Sequence, residues 1–164
     1  MKTPLLKDVA NNIPRGVALM GIDVGAKTLG LAVCNPQQTI ATPLQTIKRT
    51  KFMKDMTTLQ AIAAEYEIGG FIIGLPMNMD ETEGRRAQSV RDFALEMQRI
   101  MGAETFIALW DERLSTDFVE GFVDNLVDKR KTKIQAKKSG LIDKLAAQVI
   151  LQGAIDFSTT NGHE

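Results

Sequence analysis

The sequence predicts an α/β domain built on a mixed five-stranded sheet that is flanked by helices. Two observations lead to this prediction. Three short apolar runs near the start are separated only by turns, which indicates antiparallel strands. Further along, apolar runs alternate with helical patterns, which indicates crossover connections and parallel strands. The chain has 164 residues, enough for one domain with a sizeable core.

The first three strands are predicted over residues 17–24, 28–34 and 39–47. Short turns join them, so they form an antiparallel meander. Pro43 interrupts the third strand, because proline cannot donate a backbone hydrogen bond to a neighbouring strand. Residues 1–15, ahead of the meander, are expected to form a flexible leader.

The remaining elements alternate between helices, recognised by apolar spacing, and short apolar strands. In chain order we expect a helix over 54–66, a strand over 71–75, a helix over 85–101, a strand over 105–110, a helix over 114–127 and a last helix over 139–157. This order of elements resembles that of the ribonuclease H-like fold. We expect residues 16–158 to form that domain and 159–164 to form a tail.

Composition sets limits on the class of protein. The 20 basic and 20 acidic residues cancel, so net charge does not argue for nucleic acid. No apolar run approaches the roughly 20 residues of a membrane span, and no signal peptide is evident. A single cysteine, Cys34, excludes an intrachain disulfide and suits a reducing cytoplasm. The only histidine, His163, lies in a polar tail, which disfavours a buried histidine base.

Carboxylates at strand ends are the main functional signal. Asp23 lies inside an apolar strand and not in the turn after it, and a buried carboxylate needs a partner or a metal ion. Asp111 and Glu112 follow a second strand, where alternation sends their side chains to opposite faces. One is expected to be a ligand and the other a partner of Arg113; Glu112 is favoured as the ligand. A turn-stabilising role for Asp23 is the alternative.

A third carboxylate, Asp143, lies on a helical stripe of small residues, which allows the helix to approach the sheet closely. The alternative is an acid that only interacts favourably with the helix dipole. If Asp143 reaches Asp23 and the Asp111–Glu112 pair, their oxygens make a site for Mg²⁺ or Mn²⁺. Such sites commonly serve phosphodiester hydrolysis.

Basic residues are expected to contact a nucleic-acid backbone. Arg85 and Arg86 open a helix, where free backbone N–H groups add to the side-chain charge. Lys27 and Arg113 are further candidates. A basic arm, residues 129–138, contributes Lys129, Arg130, Lys131, Lys133, Lys137 and Lys138. The alternative for the basic arm is a solvated linker. The alternative for the segment that contains Arg85 and Arg86 is an ordinary solvated loop.

Several motifs together resemble the YqgF/RuvX family. They appear in the family's order and extend over residues 17–157. The Asp-Glu-Arg-Leu-Ser-Thr run at 111–116 is the most specific of them. The others are Gly-Ile-Asp-Val-Gly at 21–25, Gly-Leu-Pro-Met-Asn-Met-Asp at 74–80, Glu-Gly at 83–84, Asp-Lys-Leu-Ala-Ala at 143–147 and Ile-Leu-Gln at 150–152. One departure is that Ile142 and Lys144 flank the final acid, where many members carry a second polar or acidic residue.

The resemblance implies a metal-dependent endonuclease related to the RuvC Holliday junction resolvases. Asp23, Glu112 or Asp111, and Asp143 would form the catalytic metal-binding set. The expected substrate is structured nucleic acid, with processing of the 5′ end of pre-16S rRNA as the first expectation. Resolution of four-way DNA is the alternative, and its two symmetric cuts require a homodimer, whereas RNA trimming can be done by a monomer.

Two other classes compete with a nuclease. A non-catalytic RNA- or ribosome-binding factor could retain the fold and predicts binding that survives loss of Asp23. An ATP-binding protein of the sugar kinase, actin and Hsp70 class shares the Asp-x-Gly turn. Those proteins close two such domains over the nucleotide, and this chain has room for one.

Overall fold

The computed structural model describes residues 2–78, 80, 82–115 and 140–161. The strands are β1 (Ala18–Val24), β2 (Thr28–Cys34), β3 (Ala41–Lys48), β4 (Ile68–Leu75) and β5 (Phe106–Asp111). The helices are α1 (Leu6–Val9), α2 (Phe52–Glu65), α3 (Arg85–Met101) and α4 (Leu141–Asn161), with 3₁₀ turns at Ala10–Asn12 and Glu112–Ser115. Within these described ranges, no helix is long and apolar enough to cross a membrane.

The five strands form one mixed sheet in the order β3-β2-β1-β4-β5. The pairs β1–β2 and β2–β3 are antiparallel, whereas β1–β4 and β4–β5 are parallel. The predicted fold class is therefore confirmed. Because β1, β4 and β5 run in the same direction, their carboxyl ends meet at one edge of the sheet. In open α/β sheets this edge is where ligands usually bind.

Helices cover both faces of the sheet. Alternation along β1 sends Met20 and Ile22 to the face that packs against α2 and α3. Leu19 lies on the opposite face, in a cluster with Ala147 and Leu151 of α4. By the same alternation, the later odd-numbered positions of β1 also face α4. Helix α4 therefore determines what surrounds the carboxyl end of β1.

Two element boundaries differ from those predicted by three residues or more. β4 begins at Ile68 and not at residue 71, and its first turn-prone residues, Gly69 and Gly70, lie in the strand beneath Val17, Leu19 and Phe106. α4 extends to Asn161, so the predicted tail begins inside a helix. The predicted helix over 114–127 and the basic arm over 129–138 lie largely or wholly outside the described residues.

The main correction concerns residues 1–15, which were predicted to form a flexible leader. The described residues of this segment pack against the sheet. The backbone N–H of Leu109 in β5 donates to the carbonyl of Pro4 at 2.9 Å, and Leu5 forms a parallel bridge with Leu109. Leu6 is fully buried and Ile13 is buried. The segment covers the outer edge of β5, which would otherwise present unpaired backbone groups.

Leu6→Ala is expected to lower the free energy of unfolding by about 2–5 kcal/mol, as large-to-small changes in a core do. Leu95→Ala is the matched control, because Leu95 is 39% exposed; its expected cost is below about 1 kcal/mol. Urea denaturation of both variants measures the difference. Equal, small losses would mean that the leader does not pack in solution.

Candidate active site

Asp23 lies between two glycines in a row across the sheet. On one side it pairs with Gly30 of β2. On the other side, Ile22 pairs with Ile73 of β4, so the next residue along each strand places Gly74 beside Asp23. No side chain from either neighbouring strand therefore covers the Asp23 carboxyl group on the face toward α4.

The two glycines make room for the other two carboxylates. A Cβ atom added at Gly30 would overlap the backbone carbonyl of Asp143 and lie 3.1 Å from its Cβ. A Cβ atom added at Gly74 would lie 2.8 Å from Oε1 of Glu112. Asp143 thus lies over β2 and Glu112 over β4, on either side of Asp23. Three carboxylates from three elements meet on one face of the sheet.

Helix α4 reaches this position because the sheet beneath it is also free of side chains at Gly21. A Cβ atom there would lie 2.7 Å from Cβ of Leu151 and 2.8 Å from the carbonyl oxygen of Ala147. Small residues on both partners bring the helix almost onto the backbone of β1. This close approach carries Asp143, one turn before Ala147, toward Asp23.

Burial and neighbouring charges shift the pKa values of two of the carboxyl groups, those of Asp23 and Glu112. Burial, and then the charge of Asp143, raise the pKa of Asp23 to about 6. Burial, and then the charge of Asp23, raise the pKa of Glu112 to about 7. The Arg86 guanidinium opposes both shifts, so a cation from the start of α3 lies within electrostatic reach of the cluster. Clustered negative charge of this kind favours binding of a cation.

Asp111 has a different environment from Glu112. Both oxygens of Asp111 accept from Arg113, with Nε–Oδ1 at 3.0 Å and Nη2–Oδ2 at 2.5 Å. Burial alone would raise the pKa of Asp111, but the hydrogen bonds from Arg113 outweigh it and hold the pKa below its usual value. The 3₁₀ turn after β5 thus directs Asp111 to Arg113 and Glu112 toward Asp23.

The three carboxylates suit a hard divalent cation by their chemistry, since Mg²⁺ and Mn²⁺ prefer oxygen ligands. Within the described part of the chain, no group of three His, Cys, Asp or Glu side chains is close enough to hold a metal ion as placed. The oxygen ligands of the three carboxylates thus suit the cation chemically. Their side chains, as placed, do not form a complete three-ligand site.

The predicted basic residues lie in three places. Lys27 is exposed in the turn after β1, and Arg85 and Arg86 are exposed at the start of α3. Gly84, the residue before α3, makes no side-chain capping hydrogen bond. Backbone N–H groups at the start of the helix are therefore available beside the two arginines. Arg113 is engaged by Asp111. The six arm residues, Lys129, Arg130, Lys131, Lys133, Lys137 and Lys138, lie outside the described residues.

Arg49 is a site-supporting residue that the sequence did not reveal. Its Nη1 donates to the carbonyl of Gly25 at 2.6 Å, and its backbone N–H donates to the carbonyl of Lys27 at 2.8 Å. Its guanidinium also lies over the Phe93 ring, 5.4 Å from the ring centre. Arg49 thus braces the turn that follows Asp23. A lone arginine after a strand carries no sequence signal for a contact across the fold.

The metal-free protein is expected to lose stability as the pH rises from 4.5 to about 7, the range between the ordinary and folded pKa values of Glu112. In that range the folded state binds more protons than the unfolded state. The full loss is on the order of 3 kcal/mol, at about 1.4 kcal/mol per pKa unit. Glu112→Gln cannot titrate, so urea unfolding at a series of pH values should show a flatter decline. Equal declines would mean that Glu112 has an ordinary pKa.

Comparison with known proteins assigns the chain to a class and then to a family. The class is defined by the fold, which is ribonuclease H-like and shared with a Holliday junction resolvase of known structure. Thermus thermophilus RuvC, solved in complex with a Holliday junction substrate, superposes with a TM-score of 0.57 at 11% identity, over 89% of this chain and 98% of RuvC. At that identity the likeness concerns the fold alone.

The family model of RuvX, described as Holliday junction resolvase, matches residues 17–157, and the chain belongs to that family. A relative from Rhodopseudomonas palustris is 46% identical, over 93% of this chain and 91% of the relative. A relative from Rhodospirillum centenum is 43% identical, over 92% of this chain and 79% of the relative. Both carry the name "putative pre-16S rRNA nuclease".

Proposed function

We propose that this chain is a divalent-metal-dependent endonuclease that hydrolyses phosphodiester bonds while processing the 5′ end of pre-16S rRNA. The observation that carries the proposal is the placement of Asp23, Glu112 and Asp143 on one face of the sheet. Burial and neighbouring carboxylates raise the pKa values of Asp23 and Glu112 there. The names of the relatives support pre-16S rRNA as the substrate.

In this proposal Asp23, Glu112 and Asp143 hold the cation, with Asp23 central because it interacts with both others. When bound, Mg²⁺ or Mn²⁺ supplies Lewis-acid activation of water and of the phosphodiester. Asp111 acts indirectly, because its pairing with Arg113 fixes the turn that bears Glu112. A histidine base is not required by this arrangement.

The same arrangement supplies a seat for the phosphate. Arg86 lies close enough to lower the pKa values of Asp23 and Glu112, so a phosphate bound by Arg86 lies next to the carboxylates. Backbone N–H groups at the start of α3 favour an anion at the same place. Arg85 and Lys27 extend the positive surface, and the basic arm over 129–138 is proposed to continue it. Phosphate contacts position the nucleic acid and make affinity depend on salt.

Arg86→Ala is expected to lower kcat/KM about 10- to 100-fold, the usual cost of losing a hydrogen bond to a charged group. It should also reduce the slope of log affinity against log salt by about 1. Arg99→Ala is the matched control on the same helix, because Arg99 is exposed and pairs only with Glu96 among the ion pairs of the described residues. Similar losses in both variants would mean that any exposed arginine contributes equally.

Resolution of four-way DNA is the second candidate, because the family is described as Holliday junction resolvase. The test offers purified protein a pre-16S rRNA 5′ segment and a four-way DNA junction side by side, with Mg²⁺ or Mn²⁺. Faster cleavage of the RNA supports the proposal. Paired symmetric cuts in the DNA alone would replace it with a dimeric resolvase. Binding without cleavage of either would favour a non-catalytic RNA-binding factor.

A further inference from the structure

We propose that Thr28 is a positioning residue for the cation site, where its hydroxyl group holds the carboxylate of Asp143. The inference rests on the proposed function, because it assigns Asp143 to that site. It concerns a residue on β2 that belongs to none of the predicted catalytic, metal-binding or nucleic-acid-binding groups.

The contact that carries the inference joins two distant parts of the chain. Oγ1 of Thr28 donates to Oδ2 of Asp143 at 2.8 Å, across a separation of 115 residues. A hydroxyl group that donates to a carboxylate makes a charge-assisted hydrogen bond, which is stronger than one between neutral groups. Because the bond fixes one carboxylate oxygen, it also limits rotation of the Asp143 side chain.

The backbone at the start of α4 is held by a different threonine. Oγ1 of Thr46 on β3 donates to the carbonyl of Gly140 at 2.6 Å. Gly140 has a φ of +76° and lies directly against Thr46. The two threonines therefore have separate roles: Thr46 anchors the helix backbone, whereas Thr28 contacts the acidic side chain. This division gives the chain a matched control for Thr28.

Thr28 also shares a turn with Asp23. The backbone N–H of Gly25 donates to the carbonyl of Thr28 at 2.9 Å, which closes the turn between β1 and β2. Arg49 braces the same turn through the carbonyl of Gly25. A single braced turn thus holds Asp23 on its incoming strand and, through Thr28, Asp143 on α4. The spacing of the two carboxylates is set locally, although the residues lie far apart in sequence.

The test compares full-length wild type with Thr28→Val, Thr28→Ser and Thr46→Val, using Mn²⁺ alone and no nucleic acid. Valine keeps the branched shape of threonine and removes the hydroxyl group, whereas serine keeps the hydroxyl group. Calorimetry should show Mn²⁺ binding weakened about 10- to 100-fold in Thr28→Val, the usual effect of removing a group that orients a metal ligand. Thr28→Ser and Thr46→Val should bind Mn²⁺ as the wild type does.

The melting temperature without metal separates positioning from structural support. Thr46→Val is expected to lower it without changing Mn²⁺ affinity. If Thr28→Val does not fold, Thr28→Ala carries the same expectation, since it also lacks the hydroxyl group. Unchanged Mn²⁺ affinity in Thr28→Val or Thr28→Ala would overturn the inference and leave the proposed nuclease standing. Absence of Mn²⁺ binding by the wild type would overturn the proposed cation site and the inference together.

Discussion

Asp23→Asn is expected to lower the rate of phosphodiester cleavage about 10³-fold, comparable to removing one preorganised group from an active site. Burial and the charge of Asp143 raise the pKa of Asp23, and burial and the charge of Asp23 raise the pKa of Glu112, so Asp23 interacts with both other carboxylates. Asparagine keeps its size but has one oxygen and no charge. Single-turnover cleavage, measured with saturating enzyme, reports the change.

Binding of nucleic acid should survive the same substitution. Asp23 contributes negative charge, so its loss should leave the affinity for RNA equal or slightly higher. The metal-free variant should also be more stable near neutral pH, because the raised pKa of Asp23 reflects burial and repulsion from Asp143. A rate within tenfold of the wild type would contradict the assignment of Asp23, and a parallel loss of binding and stability would indicate misfolding.

Gly30→Ala is expected to lower the free energy of unfolding by about 3 kcal/mol, at the upper end of ordinary overpacking. The added methyl group would overlap the carbonyl group of Asp143, which is backbone and cannot rotate away. Helix α4 must therefore move off β2, and Asp143 moves with it. Urea unfolding measures the stability, and Mn²⁺ affinity measures the displacement of the carboxylate.

Gly84→Ala is the matched control for the glycine substitution. A Cβ atom at Gly84 would meet only Nδ2 of Asn78, at 3.8 Å, which is an ordinary contact. Its expected effect on stability is within about 0.5 kcal/mol. If Gly30→Ala were tolerated equally well, the close approach of α4 to β2 would not exist in solution, and the positions proposed for Asp143 and Thr28 would lose their basis.

The fold was largely predictable because its elements differ in periodicity. Buried strands such as β1 and β5 are short apolar runs, whereas α3 repeats its apolar residues at helical spacing. The prediction failed where local chemistry misleads. Gly69 and Gly70 resemble a turn, but they lie in β4 because neighbouring side chains fill the space above them.

The prediction that residues 1–15 form a flexible leader failed for a related reason. Leu5, Leu6 and Ile13 are spread among polar residues, and only the exposed edge of β5 gives them something to cover. That edge is a property of the assembled sheet. A pattern read along the chain therefore cannot distinguish a packed leader from a mobile one.

The acidic residues of the candidate site could be proposed from the sequence, whereas the residues that hold them in place could not. Asp23, Glu112 and Asp143 stood out because acids are unusual in apolar surroundings. The preference for Glu112 over Asp111 as the metal ligand stays a prediction; in the structure Asp111 is paired with Arg113. Thr28 and Arg49 could not be predicted, since their partners lie 115 and 24 residues away.

The most direct test of the central claim is cleavage of an end-labelled pre-16S rRNA 5′ segment over a Mn²⁺ titration, with wild type and Asp23→Asn in parallel. We predict cleavage by the wild type that rises with Mn²⁺ to saturation and stops with a chelator, and a rate about 10³-fold lower for Asp23→Asn at every concentration. Cleavage that is equal in both proteins, or that persists in the chelator, would contradict the assignment of the carboxylate cluster as the active site.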